Sequence, residues 1–174
     1  MSNIIRFGEH DGKTLESLFF KNPSYVLMLH DNINPNIRQP DWFTTEHQRH
    51  FIRLFNRAYA LGGTCSVCRK RPVTRMGLST HHRSGRVGAV GFYCDVCEYL
   101  GGTPTTYYRP SFFVEGITLS PSDQKMIIKE IRRHFIGMDV KLTRKTMEEF
   151  FRNDANFANP EPGFFTRPVA AKTT

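Results

Sequence analysis

The chain has 174 residues, with 24 Lys and Arg against 16 Asp and Glu for a net charge of +8, and a hydrophobic fraction of 39% that includes 15 Phe. That length suits one domain of ordinary size with a real core, and no apolar run approaches the roughly 20 residues of a membrane helix, so no membrane partner is expected. The basic excess favours polyanions: DNA, RNA or an assembly built on RNA.

Met1–Arg6 lacks the apolar stretch and cleavage site of a secretory signal, which predicts a cytoplasmic protein whose thiols stay reduced. Residues 1–61 open with a predicted strand at Ile4–Phe7 and a turn at Glu9–Lys13 containing Asp11-Gly12. Thr14 is placed to cap a helix carrying Leu15, Leu18 and Phe19. Asn22-Pro23 stops it and starts another, with Tyr25, Leu27, Met28 and Leu29 on its apolar side. Thr45 and Gln48 form a capping-box pattern ahead of Phe51, Leu54, Phe55, Ala58 and Tyr59, which recur at helical spacing.

Residues 62–104 lie between Gly62-Gly63 and Gly101-Gly102 and have too little apolar periodicity to build a core of their own. Residues 105–158 begin with a β-like run, Thr105–Val114. Ser120-Pro121 then starts a helix with Ile127, Ile128, Ile131 and Phe135 on one face and Lys125, Lys129, Arg132 and Arg133 on the other. Gly137 closes it. A last helix is predicted from Thr143, with Leu142 and Met147 as a hydrophobic staple and Phe150 and Phe151 pointing inward. The segment 159–174 reads as a Pro-rich flexible tail. The fold class expected is α+β, a mostly helical body with an inserted four-cysteine, zinc-ribbon-like β-hairpin module.

All four cysteines fall in one pattern: Cys65-x-x-Cys68, then 25 residues, then Cys94-x-x-Cys97. Two residues between thiolates let a tight turn present both sulfurs to one tetrahedral ion, and two such knuckles close a four-sulfur shell with no open position. That set predicts a structural Zn2+, with an iron–sulfur centre compatible with the same spacing. Metal binding would also supply folding free energy to a segment short of core.

From Cys65 to Tyr93 there is no Asp or Glu, while Arg69, Lys70, Arg71, Arg75, Arg83 and Arg86 fall inside. These six, with Lys125, Lys129, Arg132 and Arg133, are the candidate nucleic-acid contacts. Phe92, Tyr93, Tyr107, Tyr108 and Phe112 are candidates for stacking on unpaired bases, or are packing residues. His81 and His82 lie between the knuckles and read either as polar residues of a hairpin loop or, for one of them, as a general base or the ligand of a catalytic cation.

Two stretches carry a resemblance. Phe7-Gly8-Glu9-His10-Asp11-Gly12-Lys13-Thr14-Leu15, followed by Pro23-Ser24-Tyr25, resembles the small C-terminal module of exodeoxyribonuclease X-like proteins, which implies association with nucleic-acid metabolism and no reaction. Cys65–Gly102 is similar to the zinc-bound ββα-metal nucleases, phage endonuclease VII above all. The parallels are Cys65 and Cys68, then His81-His82, Ser84-Gly85-Arg86-Val87, and Cys94 and Cys97. The Asp expected to hold a catalytic cation is missing, and Glu98 stands where Asn is expected after the last Cys. Both families are frequent in bacteriophages, so the resemblance implies a phage protein acting in host cytoplasm.

The leading expectation is a non-enzymatic, zinc-containing nucleic-acid-binding protein with no catalytic residues. One alternative is a divalent-metal-dependent endonuclease using His81, His82 and Glu98. Another is a phage adaptor that binds a host polymerase or ribosome.

Overall fold

The computed structural model describes residues 4–5, 10–32, 44–81, 84–100, 105–114 and 119–158. Ile4 pairs with Thr14 in a single antiparallel bridge; Phe7, the end of the expected strand, lies outside the described residues. In the closing turn Gly12 takes φ +75°, a left-handed conformation that only the absence of a Cβ makes inexpensive. The His10 ring meets Tyr25 edge-on at 4.2 Å, fastening the turn to the helices that follow.

Thr14 starts helix α1 (Leu15–Lys21), its hydroxyl oxygen accepting the Ser17 amide at 3.3 Å. Every residue from Leu15 to Phe20 is buried, so α1 is the central helix of the body and not an amphipathic surface helix. Helix α2 (Pro23–Asn32) begins on the proline, whose missing N–H is harmless at a first helical position. Helix α3 (Thr45–Tyr59) buries Phe51, Leu54, Phe55, Ala58 and Tyr59. Its cap is Thr44, one residue before the expected Thr45, because the Thr44 hydroxyl accepts the His47 amide at 3.5 Å. Gln48 therefore sits one position too late to complete a capping box.

Strands β1 (Arg75–Thr80), β2 (Val87–Tyr93) and β3 (Thr105–Tyr108) form an antiparallel sheet in the order β2-β1-β3. The strand expected to run to Val114 ends at Tyr108. Pro110 has no N–H to continue a ladder, and the chain turns instead onto the end of α3, where Leu61 N–H donates to Pro110 at 3.0 Å and Phe112 N–H to Ala58 at 2.9 Å. This carries Phe112 and Phe113 into the core.

The register sorts the sheet into two faces. Met76, Leu78 and Phe92 lie on the inner face and are at most 3% exposed. They belong to the same hydrophobic core as Phe19, Phe51 and Phe151 of the helical body. Arg75, Gly77 and Ser79 alternate onto the outer face, opposite Tyr93, Gly91 and Ala89 on β2 and, for Gly77, opposite Tyr107 on β3.

Helix α4 (Pro121–Phe135) has a complete capping box between Ser120 and Asp123 and buries Ile127, Ile128 and Ile131. Asp123 also accepts the Val87 amide at 2.9 Å. The Ser120 hydroxyl and then that amide hold the Asp123 carboxyl below its ordinary value. At the far end of α4, His134 stacks on Phe92 at 4.8 Å, so the helix runs along β2 in the same direction. After Gly137, with φ +108°, helix α5 (Arg144–Arg152) starts on Thr143 and buries Met147, Phe150 and Phe151. Beyond α5, Gly62 donates to Asn156 at 2.9 Å and Ala158 to Ala60 at 2.7 Å. A Cβ on Gly62 would lie 2.5 Å from the Phe157 carbonyl carbon, so no larger residue fits there.

Burial lowers the pKa of His134, making the neutral ring the folded form. An unfolded His protonates near about 6.5. The stability this contributes is therefore complete above that pH and is lost as pH falls through 6.5 toward the depressed value. In His134→Gln, the decline in urea midpoint between pH 7.5 and 5.5 is expected to be shallower than in wild type. An unchanged decline would mean that His134 does not contribute to the loss of stability at low pH.

The described residues thus form five α-helices and one three-stranded antiparallel sheet, an α+β fold. Among them no helix is long and apolar enough to cross a membrane.

Candidate metal centre and the basic surface around it

Two loops bring the cysteines together at one end of the sheet. In the first, Arg69 N–H donates to the Cys65 carbonyl at 2.9 Å and Cys65 N–H to Arg71 at 2.8 Å. The turn closes because Arg69 adopts φ 53°, a conformation rare for residues with a Cβ. Ser66 fixes this loop to the end of β2 by donating both its amide, at 2.8 Å, and its hydroxyl, at 2.6 Å, to the Phe92 carbonyl. The second loop follows directly from β2, with Glu98 N–H donating to Cys94 at 3.1 Å. The Tyr107 hydroxyl donates to the Glu98 carbonyl and so ties β3 to this loop.

The four sulfurs all lie within 4.8 Å of one another, and those of Cys68 and Cys94 are 3.9 Å apart. A tetrahedral ion with metal–sulfur bonds of ~2.3 Å sets its sulfurs about 3.8 Å apart, so the arrangement is sized for one ion. Cys65 and Cys94 are fully buried and Cys97 nearly so. The surroundings already favour thiolate at two positions. The Lys70 and Arg71 amides pull Cys68 down to about 6. At Cys65 burial acts upward, and the amides of Cys68, Val67 and Cys94 outweigh it. Cys97 is pushed up to about 12, by burial and then by its contacts with the other three sulfurs. Four thiols this close cannot all ionise without a cation between them, and a bound metal supplies that charge while the protons leave.

The predicted basic residues divide into groups. Arg69, Lys70 and Arg71 project from the first loop and are exposed, Arg71 lying 3.7 Å from Asp95. Arg75, on the outer face of β1, reaches Glu98 at 3.4 Å. Arg86 is exposed beside the start of β2, and Arg83 lies outside the described residues. On α4, Lys125, Lys129 and Arg133 are exposed, but Arg132 turns its guanidinium onto the carbonyls of Val140, at 2.7 Å, and Met138, at 3.4 Å. It ties the segment that follows α4 back to the helix and drops out of the stripe.

His82 lies outside the described residues. His81 is exposed past the end of β1, its ring packed over Gly88, where a Cβ would stand 2.7 Å from Nε2. Glu98 pairs with Arg75 at the other end of the same strand. Six residues of extended strand separate those ends by roughly 20 Å, so His81 and Glu98 do not converge on one ion.

Of the five candidate stacking aromatics, Phe92 and Phe112 are buried, and Tyr108 lies on the inner face opposite Met76. Tyr93 and Tyr107 stand on the outer face, half-buried, with centroids 5.9 Å apart and planes at 82°. Tyr93 lies back along its own strand over Gly91, where a Cβ would meet its hydroxyl at 2.3 Å. Period-two alternation along β2 was the signal that could have sorted Tyr93 from Phe92.

The sequence reading missed another set: Arg49, Arg53 and Arg57, spaced by four along the outward side of α3. The spacing of four is visible in the sequence, but Glu46 lies on the same helix, whereas the stretch from Cys65 to Tyr93 carries cations with no acid at all.

No known protein family matches the chain, and no curated protein or solved structure matches it either.

Proposed function

We propose that the four cysteines hold one structural zinc ion and that the chain is a non-enzymatic nucleic-acid-binding protein, contacting phosphates from the first cysteine loop and unpaired bases from the outer face of the sheet. Zinc is the ion that a closed tetrahedral set of four sulfurs selects over harder cations, and with no open position its role is to hold the loops. The observation that carries the reading is the juxtaposition at one end of the sheet. The sulfur cluster fixes a loop bearing exposed Arg69 and Lys70, which have no carboxylate partner among the described residues, next to the outer-face pair Tyr93 and Tyr107. Cations that follow a backbone beside aromatic rings that stack bases are the usual means of binding single strands.

The test is fluorescence anisotropy with a labelled single-stranded oligonucleotide across a salt series. Wild-type affinity is expected to fall steeply with salt, since each neutralised phosphate releases counterions. Arg69→Ala with Lys70→Ala should flatten the log–log slope by about 1.4, ~0.7 per lost contact on a single strand. Tyr93→Ala should weaken binding about tenfold or more with the slope unchanged. Metal content and thermal midpoint serve as controls on folding. Affinity that ignores salt, or variants that all bind like wild type, would refute the proposal.

A further inference from the structure

Away from the metal centre, α1, α3 and α5 enclose a groove with two lobes, of about 350 and 480 Å³, that meet at Arg53, Arg57 and Asp154. Arg49, Arg53 and Arg57 line it from α3, and Arg144 and Arg152 from α5. Glu16, Glu148 and Asp154 bring the only carboxylates among the described lining residues, so five guanidiniums face three acids.

Each carboxylate is already engaged. Glu16 accepts from His50 Nε2 at 2.9 Å, Glu148 from Arg144 at 2.7 Å, and Asp154 from Arg57. A guanidinium only donates, so the 2.7 Å contact between Arg53 and His50 Nδ1 makes that nitrogen the acceptor and directs the other ring N–H at Glu16. Arg53 spends one N–H on this contact, and Arg152 has no carboxylate partner among the described residues. Both are exposed. The excess of two positive charges matches a phosphate monoester dianion, and a guanidinium fork suits its oxygens.

The second lobe has a different character. Ile52, 43% exposed, and the ring of Phe157, with the Arg57 guanidinium 5.2 Å above its centroid, give it apolar surface. Asn56 adds an amide able to donate and accept side by side, as the edge of a nucleobase requires. Each lobe falls within the roughly 300–1,000 Å³ of ordinary small-molecule sites.

We propose that this groove binds a nucleoside monophosphate, with the phosphate held by Arg53 and Arg152 and the base laid against Ile52 and Phe157 beside Asn56. The site is separate from the cysteine loops and stands whether or not those loops bind nucleic acid. The same chemistry is offered by a free nucleotide and by the phosphorylated end of a strand, and the experiment separates them.

The experiment is isothermal titration calorimetry of the full chain with AMP, adenosine, inorganic phosphate, and one short oligonucleotide with either a 5′-phosphate or a 5′-hydroxyl. AMP is expected to bind, adenosine to bind at least about tenfold more weakly, and Arg53→Ala or Arg152→Ala to weaken AMP by about tenfold to a hundredfold. Lys145→Ala, an exposed change on the same helix outside the groove, should leave AMP binding as it was. If only the 5′-phosphorylated oligonucleotide binds, and the same arginines are needed, the ligand is a strand end. Arg53→Ala also removes a neighbour of His50, so Arg152→Ala decides if the first variant misfolds. The proposal fails if no phosphate-bearing probe binds, or if binding survives intact in the arginine variants.

Discussion

Stripping the metal with a chelator, or replacing Cys94 with Ser, is expected to lower the thermal midpoint by about 10 °C or more and to take the metal-to-chain ratio from one to zero. The cysteine loops have little else to hold them. Their buried cluster consists of the cysteines themselves, whereas the sheet and helices share the large core. Cys65 and Cys94 are fully buried, and the first loop reaches the sheet through Ser66 on the Phe92 carbonyl and, where it enters β1, through the Thr74 N–H on the Tyr93 carbonyl. In small finger peptides zinc contributes ~10–16 kcal/mol that is folding free energy outright. Here the sheet keeps its contacts to α4, so a loss above about 4 kcal/mol is the expectation, the range characteristic of a lost metal. At ~2–4 °C per kcal/mol for a chain of this size, that gives the stated shift. Protease cleavage within residues 62–74 and 94–100 should rise in the stripped protein. A midpoint indifferent to chelation, with metal demonstrably removed, would contradict a structural role.

Phe19→Ala is expected to cost ~3–5 kcal/mol, the usual range for deleting a large buried ring. Phe19 is fully buried on α1, with its centroid 4.9 Å from Phe151 on α5, 6.3 Å from Phe51 on α3, and 6.1 and 6.2 Å from Phe112 and Phe113. It joins two helices and the segment after β3 to α1. Closing the hole would mean moving several of them at once, so most of the cavity should persist. Urea denaturation reads the loss as a lower midpoint at unchanged m. Metal content should stay at one per chain, because the cysteine loops lie outside this aromatic cluster. A change under about 1 kcal/mol would mean that the ring is not the junction described.

Local signals in the sequence were the most legible. Thr14, Pro23, Ser120 and Thr143 start helices where their capping chemistry placed them, and Met147, Phe150 and Phe151 point inward as their spacing implied. The cysteine spacing gave the four-sulfur cluster, because a two-residue gap within a turn leaves the side chains few other directions. Thr44 and Thr45 offered the same hydroxyl twice, and only the packing of α3 decides between them. Non-local pairing was the harder part. That β3 adds to β1 and not to β2 depends on pairings between residues as far apart as Met76 and Tyr108, which no short window encodes. Arg132 looked like one of four surface cations, and its capture by the Val140 and Met138 carbonyls depends on the course of the chain after Gly137. The groove above α3 needed three helices brought together before its arginines meant anything.

The most direct test of the proposed function is the affinity of one single-stranded oligonucleotide for the same preparation in three states: as isolated, after chelation, and after zinc is restored. Binding is expected to be lost with the metal and recovered with zinc, since without the ion Arg69 and Lys70 have no fixed loop to project from. Binding of equal strength and equal salt dependence in the metal-free protein would contradict the proposed function.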